Sequence, residues 1–409
     1  MSTAAPDARP APRPSPRLDR VVIVGASLAG LRSAEALRRK GFTGELILIG
    51  DEVHPPYDRP PLSKEFTAKA MSAQSLHLRQ NPNLDATWRL GIPATALDAA
   101  AHMVRLGDGA ELGYDGLVIA TGATPRRLPG LPETAPGLHH LRTVDDALRL
   151  RADLVPGTRV VVIGGGFIGA ELASTCRELG LPVTVVTPLP MMISALGQLS
   201  EAAAQRARRH GVEVIEGPGI SGVEIDDRVR SVELTDGTRL SADVVVVAIG
   251  VRPAVDWLAG SGVLIDSGVV CNDSLAVRGA ADAVAAGDVA CWPHPALDGE
   301  LLRLEHWTNA AEQAIAAADR LLAGGGRPFA PVPSFWSDQY GVRLQGVGLT
   351  GRADEVAVVD GNPSGDQFVA EYRRAGQLVG AISAGDVRAL LPYRRELVKR
   401  FAGLALASQ

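Results

Sequence analysis

This sequence lacks, first of all, a pair of thiols placed to exchange electrons. Its three cysteines, Cys176, Cys271 and Cys291, include no two at C-x-x-C or C-x-x-x-x-C spacing, which excludes a local dithiol relay. Each reads as a small buried or neutral thiol. The eight histidines form no pair at ligand spacing and no cysteine completes a set, so no metal centre is expected. No apolar run approaches the roughly 20 residues that span a bilayer. Residues 1–17, with prolines at 6, 10, 12, 14 and 16, lack the apolar core of a signal peptide and read as a disordered tail, making the cytoplasm the expected location. A net charge of −5 gives no global attraction to nucleic acid.

Glycine is abundant where it carries meaning. VVIVGASLAG at Val21–Gly30 and VVVIGGGFIG at Val160–Gly169 each read as an apolar strand, a tight glycine turn and a helix. The amide-rich start of such a helix faces a pyrophosphate. The first loop leads through a helix over Leu31–Lys40 and a strand over Glu45–Ile49 to Asp51, a carboxylate placed for a ribose hydroxyl. The second leads through a helix over Ala170–Leu179 and a strand over Val183–Val186 to Thr187, which is not acidic. Each unit is followed by another apolar strand ending in glycine, Tyr114–Gly122 and Val244–Gly250. One chain is thus built to hold two dinucleotides.

At 409 residues the chain exceeds a single core, and several domains are expected. The fold class read from these patterns is α/β: two Rossmann-like dinucleotide-binding domains, an arrangement similar to that of glutathione reductase, plus a C-terminal α+β domain. Residues 18–124 and 253–325 are assigned to the first nucleotide unit and 125–252 to the second. Residues 326–409 form the last domain, after a Gly/Pro-rich linker at Ala323–Pro333. Alternating strands open that last domain and a basic helix around Val387–Phe401 closes it.

The segments VGASLAG, PYDRPPLSKEF (Pro56–Phe66), ATG, GGGFIG, AIGVRP, AAGDVA, EHWTNAAEQA and WSDQYG together resemble the FAD-dependent, NAD(P)H-using ferredoxin reductases that feed oxygenases such as cytochromes P450. The likeness covers nearly the whole chain beyond its N-terminal tail. The glycine loops alone indicate only the wider pyridine-nucleotide flavoprotein superfamily, which includes the disulfide reductases. PYDRPPLSK, the WSDQYG domain and the missing cysteine pair narrow it.

For FAD, Gly25, Ser27 and Gly30 are expected to cradle the pyrophosphate, with Ser27 departing from the usual second glycine but able to donate a hydrogen bond. The resemblance assigns Asp51 to the adenosine ribose and Asp288, beside Gly287, to the ribityl chain. It places Ala29, Ala94, Arg142 and Trp307 along the FAD site, with Arg59, Thr121, Gly122 and Glu305 as further cofactor contacts. Gly164, Gly166, Ile168, Gly169 and Gly250 fall to the nicotinamide dinucleotide. Lys64, a rare lysine stiffened by the preceding prolines, is implied to approach the flavin and to pair with Glu171, the two forming the catalytic pair. Trp307 and Trp336 are expected to border the flavin and the electron exit.

Thr187 and the following Pro188-Leu189-Pro190 offer no cation for a 2′-phosphate, so NADH is expected over NADPH. The implied partner is a [2Fe-2S] ferredoxin, and through it a cytochrome P450 or Rieske-type oxygenase. Arg388, Arg394, Arg395, Lys399 and Arg400 are its candidate docking face. The alternatives are a rubredoxin reductase, an NADH oxidase, or a redox-sensing flavoprotein with slow turnover. No cysteine lies between Val21 and Ala120, which counts against the peroxidase-type relatives.

Overall fold

A computed structural model describes residues 18–407; the tail expected at 1–17 lies outside the described residues. Two parallel five-stranded sheets form the body. In the first the order is Ala283–Ala285, Gly116–Ile119, Arg20–Val24, Glu45–Ile49, Thr87–Arg89. In the second it is Glu213–Glu216, Val183–Thr187, Val160–Ile163, Val244–Val247, Leu138–His139. Strands such as VVVI at Val160–Ile163 are buried at every position. Continuous β-branched runs are what a parallel sheet covered on both faces requires.

The third sheet is antiparallel, ordered Ser334–Gln339, Val342–Gly348, Gln377–Ala384, Phe368–Arg374, Glu355–Gly361. Its core is continuous with both nucleotide units. Leu349, Leu397 and Phe401 pack into the first unit's cluster, whereas Phe335, Tyr372 and Ile382 pack with the second unit and with Tyr57, Leu62 and Phe66 of the proline segment. The Pro56–Phe66 segment therefore packs where the second unit meets the third sheet. Two short strands, Ala123–Pro125 and Val251–Pro253, pair where the chain passes between the nucleotide units.

Both loop helices begin earlier than the pattern suggests, at Leu28 and Phe167 rather than Leu31 and Ala170. Gly30 and Gly169 thus lie in the first helical turn. A Cβ on Gly30 would lie 1.8 Å from the Gly25 carbonyl oxygen, and one on Gly169 2.0 Å from that of Gly164. These glycines let each helix close onto its own strand, so an apparent helix-weakening residue is a packing requirement. The expected basic helix is a short 3-10 turn at Val387–Leu390 followed by a helix at Leu391–Ala407, a break that follows the Asp386 side chain accepting from the Arg388 amide.

Because backbone cannot retreat as a flexible side chain can, Gly30→Ala should cost at least about 3 kcal/mol of stability. Chemical unfolding of the variant checks this, and a loss under about 1 kcal/mol would contradict the close approach.

Candidate functional site

A cavity of about 390 Å³ opens at the C-terminal ends of the first sheet's strands, walled by all three units. The first loop supplies Ser27 and Ala29, the proline segment Arg59 and Lys64, and the turn just before the Ala123–Pro125 strand Thr121 and Gly122. Ile168 and Glu171 enter from the second-loop helix; Gly287 and Asp288, Glu305, His306 and Trp307, and Phe335 and Trp336 of the third sheet complete the wall. A smaller pocket continues over Gly25, Ser27, Gly50 and Asp51.

Glu171 is the centre of the polar network. Its Oε2 lies 2.8 Å from Lys64 Nζ and accepts from Ser63 Oγ at 2.5 Å, while Oε1 accepts from Ser337 Oγ at 2.7 Å. The side chains of Lys64 and Glu171 are only 13% and 6% exposed. The ammonium also donates to the Pro60 carbonyl at 3.0 Å. Thr175, one turn along the same helix, donates to the Ser63 carbonyl at 2.8 Å, and Gln339 donates to Ser337 at 3.0 Å. A carboxylate this deep is tolerated because charge and hydroxyl donors replace its water.

A second cluster orders the opposite wall. Glu52 receives Tyr57 Oη and Arg59 Nη2, each at 2.5 Å, and Arg59 Nη1 donates to the Arg142 carbonyl at 2.7 Å. Burial pushes the Tyr57 phenol well above its ordinary range. The Arg142 guanidinium holds Asp288 at 2.9 Å, and Trp307 Nε1 donates to Asp58 at 2.7 Å. Burial raises the Asp58 carboxyl, against the pull of that indole bond. Trp307 and Trp336 meet edge to face with centroids 6.3 Å apart. Burial lowers His306 to about 4, leaving a neutral imidazole against Phe335.

Of the expected residues, Ser27, Ala29, Asp51, Arg59, Lys64, Thr121, Gly122, Arg142, Ile168, Glu171, Gly287, Asp288, Glu305 and Trp307 line the large cavity, and Gly25 the smaller pocket. Gly30 and Gly169 lie beneath their loops, with Gly164 as the turn against the Ala248 carbonyl. Gly250 sits by Arg126, whose amide it binds. Gly166 faces open space, with nothing within 4 Å of where its Cβ would be. Ala94 lines neither pocket; it pairs with Leu106 in a separate antiparallel sheet and packs on the core. Ser63, Ser337 and the Glu52 and Tyr57 partners of the expected Arg59 escaped the sequence reading, although Ser63 adjoins Lys64 and Ser337 lies inside WSDQYG.

The cavity suits a flavin dinucleotide. The Gly25 turn, at φ +117, has no room for a Cβ; the Ser27 side chain makes no capping bond to its own helix; and Gly287, at φ +83, lies against Ala29. No thiol reaches the site: all three cysteines are buried, and burial pushes Cys176 and Cys271 to about 12.

Residues 19–314 match the family described as pyridine nucleotide-disulphide oxidoreductase, and residues 334–404 match the reductase C-terminal family. The chain belongs to the pyridine nucleotide-disulphide oxidoreductase family. Within it, the chain is 36% identical over 94% of its length to the ferredoxin–NAD(+) reductase component of the p-cumate 2,3-dioxygenase system of Pseudomonas putida, covering 94% of that protein. It is 38% identical to the rhodocoxin reductase of Rhodococcus erythropolis, over 92% and 89% of the two chains. Among solved structures, the covalent putidaredoxin reductase–putidaredoxin complex superposes with a TM-score of 0.87 at 33% identity, over 93% of each chain.

His306 yields a pH test. The unfolded chain takes up a proton near the ordinary imidazole value of 6.5, which the folded site refuses until about 4. Stability is therefore full above pH 6.5 and falls as the pH drops towards 4. His306→Phe should flatten that part of the curve; equal losses between pH 7 and pH 5 in variant and wild type would contradict the assignment.

Proposed function

We propose that this chain is an NADH-dependent ferredoxin reductase that passes electrons through bound FAD to a [2Fe-2S] ferredoxin serving an oxygenase. The observation that carries this is the Lys64–Glu171 pair set into a cavity shared by two glycine-loop units and an aromatic-edged third. Relatives named as ferredoxin–NAD(+) reductase components of dioxygenase systems support it. FAD, when bound, supplies hydride acceptance and one-electron release.

The protein's share is orientation. Gly25, Ser27 and Asp51 hold the adenosine end, and Asp288, steadied by Arg142, holds the linking chain. Glu171 fixes Lys64 Nζ, so the ammonium is held in place in the cavity wall where negative charge on a reduced cofactor would be accommodated. The Ser63 and Ser337 hydroxyls keep Glu171 from turning away. Trp307 and Trp336 exclude water at the rim nearest the third sheet. Preference for NADH rests on Thr187 and the Pro188-Leu189-Pro190 stretch after it, which supply no cation for a 2′-phosphate.

Stopped-flow absorbance of the purified flavoprotein, mixed anaerobically with NADH and then with a [2Fe-2S] ferredoxin, tests this reading. Rapid bleaching followed by rapid reoxidation is expected. Bleaching without reoxidation would redirect the search to another acceptor, and a higher kcat/KM with NADPH would overturn the nucleotide preference.

The basic helix divides on inspection. Arg394 faces Glu312 at 3.7 Å and Arg400 is half-buried on the Leu378 carbonyl, whereas Arg388, Arg395 and Lys399 are exposed. Arg388→Glu with Arg395→Glu should slow ferredoxin reduction several-fold at low salt and little at high salt, because exposed charges are screened beyond about 10 Å at 0.1 M. No change at low salt would remove this face from docking.

A further inference from the structure

The second unit's Val183–Thr187 strand ends in the place where a nucleotide unit of this type puts the acid that holds the adenosine ribose. Thr187 cannot take that part as it stands. It is 4% exposed, its hydroxyl donates to the Leu189 carbonyl at 2.8 Å, and its methyl group lies against the Gly165 position. The acid is supplied one strand over. In the parallel sheet Thr187 is in register with Glu216, the last residue of Glu213–Glu216, and the Gly217 amide donates to the Thr187 carbonyl at 3.0 Å.

The Glu216 side chain is aimed and held. Its Oε1 accepts from the Met191 amide at 2.9 Å, and the next amide, Met192, donates to the Gly165 carbonyl at 2.8 Å. The carboxylate is therefore tied through two consecutive residues to the second glycine loop. It is 22% exposed, neither sealed in the core nor free in solvent. Its Oε2 lies 3.4 Å from the Arg208 guanidinium, which also reaches Glu201 at 3.2 Å.

We propose that Glu216 replaces the missing acid at Thr187, accepting the adenosine ribose hydroxyls of NADH and excluding the 2′-phosphate of NADPH. This rests on the reading above that the second loop binds NADH. It also gives that preference a cause that the residues following Thr187 do not, because the fold brings Arg208 close and Glu216 stands beside it. A 2′-phosphate would meet the carboxylate, whereas a 2′-hydroxyl can donate to it.

The test is calorimetric titration of the FAD-loaded full chain with ADP-ribose and with 2′-phospho-ADP-ribose. Glu216→Gln retains an acceptor for the Met191 amide but loses the charge. It should weaken ADP-ribose and tighten the phosphorylated ligand, moving the ratio of the two dissociation constants by about tenfold or more. Glu216→Asp keeps the charge and should keep most of the discrimination. Adding Arg208→Gln to Glu216→Gln should remove the gain for the phosphorylated ligand. A ratio within twofold of wild type in Glu216→Gln, with melting temperature preserved, would overturn the assignment. A wild-type protein that prefers the phosphorylated ligand would instead show that the NADH reading itself is wrong.

Discussion

Everything at the centre of this molecule hangs on one buried carboxylate. Glu171 receives Lys64, Ser63 and Ser337, groups 107, 108 and 166 residues distant in sequence. Burying such a charge carries a desolvation penalty of several kcal/mol that pairing only partly returns. Its value is therefore better sought in placement than in stability. The proline segment, the second-loop helix and the first strand of the third sheet can satisfy those donors together in only one mutual arrangement. Thr175 on the Ser63 carbonyl and Ser174 accepting from the Tyr340 amide hold the same three segments along the next turn.

That arrangement makes the start of the Phe167–Glu178 helix a shared wall. Gly166 leaves room on the loop side, while Ile168 and Glu171, two and five residues later, face the cavity. Helical geometry of 1.5 Å per residue keeps these faces within about one turn of each other. Two ligands bound on either side of a wall this thin would have their reactive ends close together. The glycines at both loops serve that economy, since each lets backbone approach where a Cβ would strike a carbonyl.

The parts legible in the sequence were those whose physics is local. Strand–turn–helix order follows from β-branched runs ending at glycine, and the Leu28 and Phe167 helix starts were misplaced by only a turn because Gly30 and Gly169 look like helix breakers when their packing partners are unseen. Lys64 and Glu171 came from resemblance; no periodicity joins residues 64 and 171. Ser63, Ser337 and the Glu52–Tyr57–Arg59 cluster depend on tertiary contact, and common residue types in such contacts leave no local trace. Glu216 is the sharpest case. Counting along the chain from the second loop leads to Thr187, and only the sheet register puts a carboxylate beside it.

The burial of the thiols separates this chain from a disulphide route within its family's architecture. A disulphide route needs a thiolate at the cavity, but Cys176 belongs to the core behind the second-loop helix, Cys271 to that of the first unit, and Cys291 lies against Ser267, with burial raising all three. No cysteine lines the cavity, so a thiol relay has no place in the reading proposed above. To the cavity wall the third sheet contributes Trp336 against Trp307, whose indole is anchored on Asp58 at the start of the proline segment. The helix that begins at Trp307 runs outward to Glu312, which Arg394 meets beside the exposed face of the last helix. The third domain thus meets the cavity with adjoining elements: its first strand holds Glu171 through Ser337, and Trp336 of the same strand meets Trp307 at the cavity wall.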